Sequence, residues 1–162
     1  MSGWPLVSLK REALLVLGCI AISFAPGAFG AAFPPGSWYA GLEKSALTPP
    51  GWVFPVAWSL LYLTIGIALY CFLVGARPRE RRFPLAVFAV QLVLNAAWSW
   101  IFFGRHAIGA ALFEIVVLWV AIVGTIIAFA KHSAGAAKLL VPYLAWVSFA
   151  TYLNFAIWRM NG

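Results

Sequence analysis

Residues 83–104 read FPLAVFAVQLVLNAAWSWIFFG, a run without one charged side chain. At 1.5 Å per residue a helix of that length extends about 33 Å, enough to cross a hydrocarbon core of about 30 Å. The run is not uniformly apolar. Phe88, Gln91, Asn95, Trp98 and Phe102 recur at steps of three and four and so share one helix face. Amides in hydrocarbon are costly unless paired, so this face is expected to look into a helix bundle rather than at lipid. Gln91 and Asn95 serve there either as hydrogen-bonding glue between helices or as ligand contacts, and the sequence leaves both open.

Outward from this segment lie four more apolar runs, at residues 13–33, 52–75, 107–130 and 139–158. Each must be helical, because unpaired backbone polar groups do not face lipid. The alternating strands of about ten residues that mark a membrane β-barrel are missing. The sequence therefore predicts an all-α membrane protein, with residues 1–162 forming a single domain of five transmembrane helices. Composition agrees: 64% of residues are hydrophobic and 9% charged, against about 25% charged in a soluble domain. The first run has a rival reading as a signal peptide, since Lys10-Arg11 precede it and small residues close it near Gly30. It stays apolar to Phe33, which favours a span. The five runs do not divide into two similar halves, a pattern that speaks against an alternating-access pump.

Net charge is +7, yet the eleven Lys and Arg form no nucleic-acid motif. They sit between the spans as topology signals. The side of the N-terminus holds Lys10, Arg11, Arg77, Arg79, Arg81, Arg82, Lys131 and Lys138; the other side holds Lys44, Arg105 and Arg159. An excess of cations marks the cytoplasmic side, so the N-terminus is expected in the cytoplasm and loop 34–51 outside. Cys19 and Cys71 fall on different spans and read as small buried hydrophobes.

Nine tryptophans are present. Trp4, Trp119 and Trp158 read as members of an interfacial belt. The others fall into stripes. In the second span Trp58 and Tyr62 lie four apart, just after Trp52, Phe54 and Pro55; in the fifth, Tyr143, Trp146, Ala150 and Asn154 share a face behind Pro142. Three spans thus offer aromatic and amide groups to one interior. Loop 34–51 carries Pro34, Pro35, Pro49 and Pro50 together with Trp38, Tyr39 and Leu42. Loops that long are uncommon and often act as lids, and this one is read as a lid over the pocket. Glu114, about two turns into the fourth span, is assigned a structural role, reaching for headgroups or accepting a hydrogen bond across the bundle. His106 and His132 stand alone at helix ends, and no metal-ligand cluster, nucleophile elbow, P-loop or carboxylate pair is present.

The motifs Trp38-Tyr39-x-x-Leu42-x-Lys44, Pro49-Pro50-x-Trp52-x-Phe54, Trp58-x-x-Leu61-Tyr62 and Gln91-x-x-x-Asn95-x-x-Trp98 follow one another along the chain. Phe102-Phe103, Pro142-Tyr143-x-x-Trp146 and Leu153-Asn154 complete the series. With these elements the chain resembles the translocator protein family (TspO/MBR), also called tryptophan-rich sensory protein or peripheral benzodiazepine receptor. The resemblance implies a five-helix bundle, usually a homodimer. It also implies a pocket beneath the first loop that binds protoporphyrin IX or heme and synthetic ligands of the isoquinoline carboxamide and benzodiazepine types. By position the pocket residues are Trp38, Tyr39, Trp52, Phe54, Gln91, Asn95, Trp98, Trp146 and Ala150. Eukaryotic members also bind cholesterol. Here the window before Arg159 that should hold Tyr reads Leu153 to Ile157 without one, Tyr152 being one residue too far, so sterol binding is not implied.

The functional expectation is a membrane tetrapyrrole-binding protein engaged in porphyrin transport, sensing or stress regulation. The porphyrin is its ligand, no cofactor is required, membrane lipid is its surroundings and nucleic acid is no partner. The alternatives are a light-dependent porphyrin-degrading enzyme, in which Trp52 and Trp146 would donate electrons, and a sterol-binding or purely structural membrane protein. Gly27-x-x-x-Ala31 and Gly124-x-x-x-Ala128 are small-residue pairs of the kind that lets helices of a dimer approach. A bacterial inner membrane is the expected location, with the outer membrane as the alternative.

Overall fold

A computed structural model of the chain describes residues 6–162, with side chains from Leu9 onward; Trp4 lies outside the described residues. The elements are α1 (Leu6–Gly30), α2 (Ser37–Gly41), α3 (Val53–Gly75), a 3₁₀ turn (Pro78–Glu80), α4 (Arg82–Ser99), a π-helical turn (Trp100–Gly104), α5 (Ile108–Ala130), α6 (Ala134–Leu139) and α7 (Val141–Asn161). Among the described residues five helical spans are long and apolar enough to cross a membrane. The chain is an integral membrane protein of five transmembrane helices.

The span ends differ from the sequence expectation where local chemistry decides them. The first span stops at Gly30 rather than Phe33: Ala32 and Phe33 close only short turns, through N–H bonds to Phe29 O and Gly30 O, and Pro34-Pro35 then bar helix. The fifth span starts earlier, at Ala134, where the Ser133 hydroxyl accepts from the Ala136 N–H as an N-cap. It breaks at Leu140, because Pro142 has no N–H to give to the carbonyl of Lys138 and can sit only in the first turn of a new helix, α7.

In the bundle, α1 packs along α3 and less extensively on α4; α4 packs on α5, and α5 on α7. The short α6 lies against α3 and α5, while α3 and α7 meet only sparsely. Glycines set the closest approach of α1 to α3. A Cβ on Gly66 would stand 2.6 Å from the Cα of Ile20, and one on Gly27 would stand 2.6 Å from the Tyr62 ring. Across this seam the Ser23 Oγ sits 2.6 Å from the carbonyl of Tyr62. Gly124 faces Val87 of α4, and Ala128 is buried. Gly27 and Gly124 thus each meet a helix of the same chain, while Ala31 is exposed. The core at the N-terminal end stacks Phe72, Phe129 and Phe88, with Phe72 and Phe129 ring centroids 4.2 Å apart and nearly parallel.

Candidate functional site

Three helices meet around one phenol. The Tyr143 hydroxyl (α7) donates to Gln91 Oε1 at 2.9 Å and accepts from Asn95 Nδ2 at 3.1 Å; Asn95 Oδ1 accepts from the Tyr62 hydroxyl (α3) at 2.8 Å. All four side chains are buried. The stripe of α4 does face inward, and its two amides divide the roles left open by the sequence. Asn95 spends both ends on neighbouring helices and is glue. Gln91 is 1% exposed, and its Nε2 has no partner among the described residues.

Aromatic rings extend this hub. Trp58 stacks on Tyr62 at 5.3 Å and meets Tyr143 edge-on. Phe54 meets Trp146 edge-on at 6.0 Å. The Trp146 Nε1 is buried without a partner among the described residues. Because α3 and α7 splay, a groove of about 550 Å³ opens between them, lined by Ala57, Leu60, Leu61 and Thr64 on one side and Pro142, Ala145, Trp146 and Phe149 on the other. Its walls are almost wholly apolar, and two of its lining residues, Leu61 and Trp146, belong to the same core cluster as Trp58, Tyr62 and Tyr143. Ala150, one turn beyond, packs half-buried against the same core.

Towards the other end of the bundle, Trp98 Nε1 donates to Asn154 Oδ1, and Asn154 Nδ2 donates to the carbonyl of Ile108, both at 3.1 Å. Here the helix following Trp98 widens into the π turn, with Arg105 N bonded to Trp100 O and Ala107 N to Ile101 O. Such turns often sit at functional sites. This one presents Phe102 and Phe103 together. Trp98 stacks on Phe102 at 4.9 Å, and Tyr39 meets both phenylalanines edge-on.

Loop 34–51 closes that end. Trp38 lies flat on His106, with centroids 4.1 Å apart and planes 14° from parallel, and His106 itself holds φ 53°. Lys44 Nζ donates to the carbonyls of Leu42 and Ala40 and sits 4.7 Å from the Tyr39 ring centre. Burial pushes the Tyr39 phenol above its usual range. The loop is tied to the end of α7: Glu43 N–H donates to Asn161 Oδ1, Asn161 Nδ2 returns a bond to Glu43 O, and the Ser45 and Tyr152 hydroxyls are 3.1 Å apart.

Of the sequence-predicted site residues, the structure brings Phe54, Gln91, Asn95, Trp146 and Ala150 to the hub and groove, and Trp38, Tyr39 and Trp98 to the loop-covered end. Trp52 is set apart. It stands at the N-cap of α3, 69% exposed, because the turn in which Val53 N bonds Pro50 O swings it out of the interior. Trp119 is no belt residue: it lies at the middle of α5, where its Nε1 donates to the Ser148 hydroxyl at 2.8 Å. Glu114 reaches neither headgroups nor a hydrogen-bond partner. It is 7% exposed, and neither carboxyl oxygen has a partner among the described residues. Sequence reasoning left Tyr62 and Tyr143 outside the site, although their spacing from Trp58 and Trp146 was the available signal. It took His106 to stand alone at a helix end, whereas its ring lies against Trp38.

The family model described as TspO/MBR family matches residues 15–159. The chain belongs to the TspO/MBR family. It is 43% identical over 157 residues to the "Tryptophan-rich protein TspO" of Chlorobaculum tepidum, covering 94% of this chain and 99% of that one. It is 40% identical over 156 residues to "Protein CrtK" of Rhodobacter capsulatus, covering 96% and 95%. The human "Translocator protein" is 40% identical over 126 residues, 76% of this chain and 75% of that one. The tryptophan-rich interior of this TspO/MBR member therefore comprises an apolar groove open along α3 and α7, a three-helix hydrogen-bonded hub behind it, and a loop fastened over one end.

Proposed function

We propose that this chain binds a tetrapyrrole such as protoporphyrin IX inside the bilayer and serves its transport or sensing. The observation that carries this reading is the groove between α3 and α7, walled by Trp146, Phe149 and aliphatic side chains and backed by the Trp58–Tyr62–Tyr143 cluster. Its volume of about 550 Å³ lies within the range of small-molecule sites. A porphyrin is a wide apolar ring with a carboxylate edge. Indole and phenyl faces suit the ring. The same chemistry suits flat aromatic amides of the isoquinoline carboxamide and benzodiazepine types. Homodimerisation rests on family membership. The eight Lys and Arg at the end of the N-terminus, against three at the other, support a cytoplasmic N-terminus, and a bacterial inner membrane is the location proposed with it.

Protoporphyrin IX titrated in the dark into detergent-purified protein is expected to quench tryptophan fluorescence to a plateau. Linear quenching without a plateau would sink the proposal. Illumination of the saturated sample separates two outcomes: stable porphyrin absorbance fits a carrier or sensor, and protein-dependent bleaching fits a light-driven degrading enzyme.

A further inference from the structure

The α3–α4 connection and the α5–α6 turn form one basic surface at the bundle end opposite loop 34–51. They are in direct contact: a Cβ on Gly75 would lie 2.8 Å from the carbonyl oxygen of His132, and His132 Nδ1 stands 3.7 Å from Glu80 Oε2. The cations on this surface are not equivalent. Arg81 is spent on the fold, donating from Nη2 to the carbonyl of Leu73 at 2.6 Å and from Nε to that of Ala76 at 3.0 Å, which caps the last turn of α3. Arg77, Arg79, Arg82, Lys131 and Lys138 are exposed. Among the described residues no acid lies within ion-pair distance of any of them, and the one acid of the connection, Glu80, is turned to His132. Both connections are short, so these side chains are held at the depth where a helix leaves the hydrocarbon.

We propose that this surface is a binding site for anionic phospholipid headgroups of the adjoining leaflet, with Arg77, Arg79 and Arg82 as its principal contacts. A guanidinium grips phosphate oxygens in pairs and is weakly hydrated, so three arginines on one rigid connection favour phosphate over a diffuse counter-ion cloud. The lipid is chosen over a soluble anion because the site opens at the bilayer boundary, where the acyl chains of a bound lipid continue along the apolar spans. Basic clusters immediately beside a span draw anionic lipid at about 1 kcal/mol per residue.

The test follows thermal unfolding of the full chain in neutral detergent as phosphatidylglycerol or phosphatidylcholine is added. Phosphatidylglycerol is expected to raise the unfolding midpoint saturably, and phosphatidylcholine is not. In the variant R77Q/R79Q/R82Q, which leaves Arg81 in place, half-maximal stabilisation should need roughly a hundredfold more phosphatidylglycerol, about 3 kcal/mol at 1.4 kcal/mol per tenfold. Its midpoint without lipid should match the unsubstituted protein, because the three side chains are exposed. The variant R105Q/R159Q, altered at the other end, should respond as the unsubstituted protein does. Equal responses to the two lipids, an unchanged response in the triple variant, or the same stabilisation by millimolar inorganic phosphate would each overturn the proposal.

Discussion

Tyr143 holds one hydroxyl between two buried amides, so its replacement by phenylalanine leaves Gln91 Oε1 and Asn95 Nδ2 each short of a partner. In a soluble core each such loss costs about 1–3 kcal/mol. Between membrane helices measured side-chain hydrogen bonds are weaker, about 0.6 kcal/mol on average, because the unfolded state in the membrane also finds partners. The membrane value governs here, and Tyr143→Phe is expected to lower stability by about 1–2 kcal/mol, read from detergent unfolding. Asn161 is the other residue on which much depends, through its reciprocal bonds to Glu43. Asn161→Ala should speed hydrogen exchange at the Glu43 amide and across the loop, leaving the core of α5 unchanged; equal exchange in both proteins would show that the loop is held by its other contacts. The inward stripe of α4 was legible because helical spacing is preserved from Phe88 to Trp98. The direction of Trp52 was not, since a residue at a helix N-cap points where the preceding turn sends it. Trp119 misled because an indole N–H is usually satisfied by interfacial water, and here a serine hydroxyl on α7 does the same inside the span.

At the scale of elements, the seam between α1 and α3 depends on the missing side chain of Gly66. A Cβ there meets backbone, the Cα of Ile20, which moves only if the whole of α1 moves. Gly66→Ala is therefore expected to destabilise by about 1–3 kcal/mol, the usual cost of overpacking, whereas Gly18→Ala, with nothing within 4 Å of its added carbon, should be nearly neutral. Comparable midpoints for the two variants would contradict the close seam. The five spans were legible because long uncharged runs admit few alternatives in a bilayer. The π turn at residues 100–104 was not, because one wider turn leaves the apolar pattern almost intact while rotating Phe102 and Phe103 toward the loop. The break at Leu140 was half legible: Pro142 fits only the first turn of a helix, but α6 depends on the Ser133 cap, which no periodicity reveals.

Across the whole molecule, the two ends differ in charge and in closure. One end carries the basic surface; the other is covered by loop 34–51, with Trp38 on His106 and Glu43 on Asn161. Between them the sparse meeting of α3 and α7 leaves the groove facing lipid. An apolar flat ligand then has a route from the bilayer that needs no passage through water. Family membership and motif spacing located the aromatic residues, but not their division between groove and loop-covered end, because that depends on which helices splay. The central claim is that the groove beside Trp146 is where a tetrapyrrole binds. The most direct measurement compares dark protoporphyrin IX titrations of the unsubstituted protein, Trp146→Ala and Trp119→Ala, read by porphyrin absorbance. Saturable binding that survives in Trp119→Ala and weakens about tenfold in Trp146→Ala, as expected for loss of the aromatic contact at about 1.4 kcal/mol per tenfold, is the predicted result; binding equally unaffected by both substitutions would place the ligand elsewhere and contradict the account.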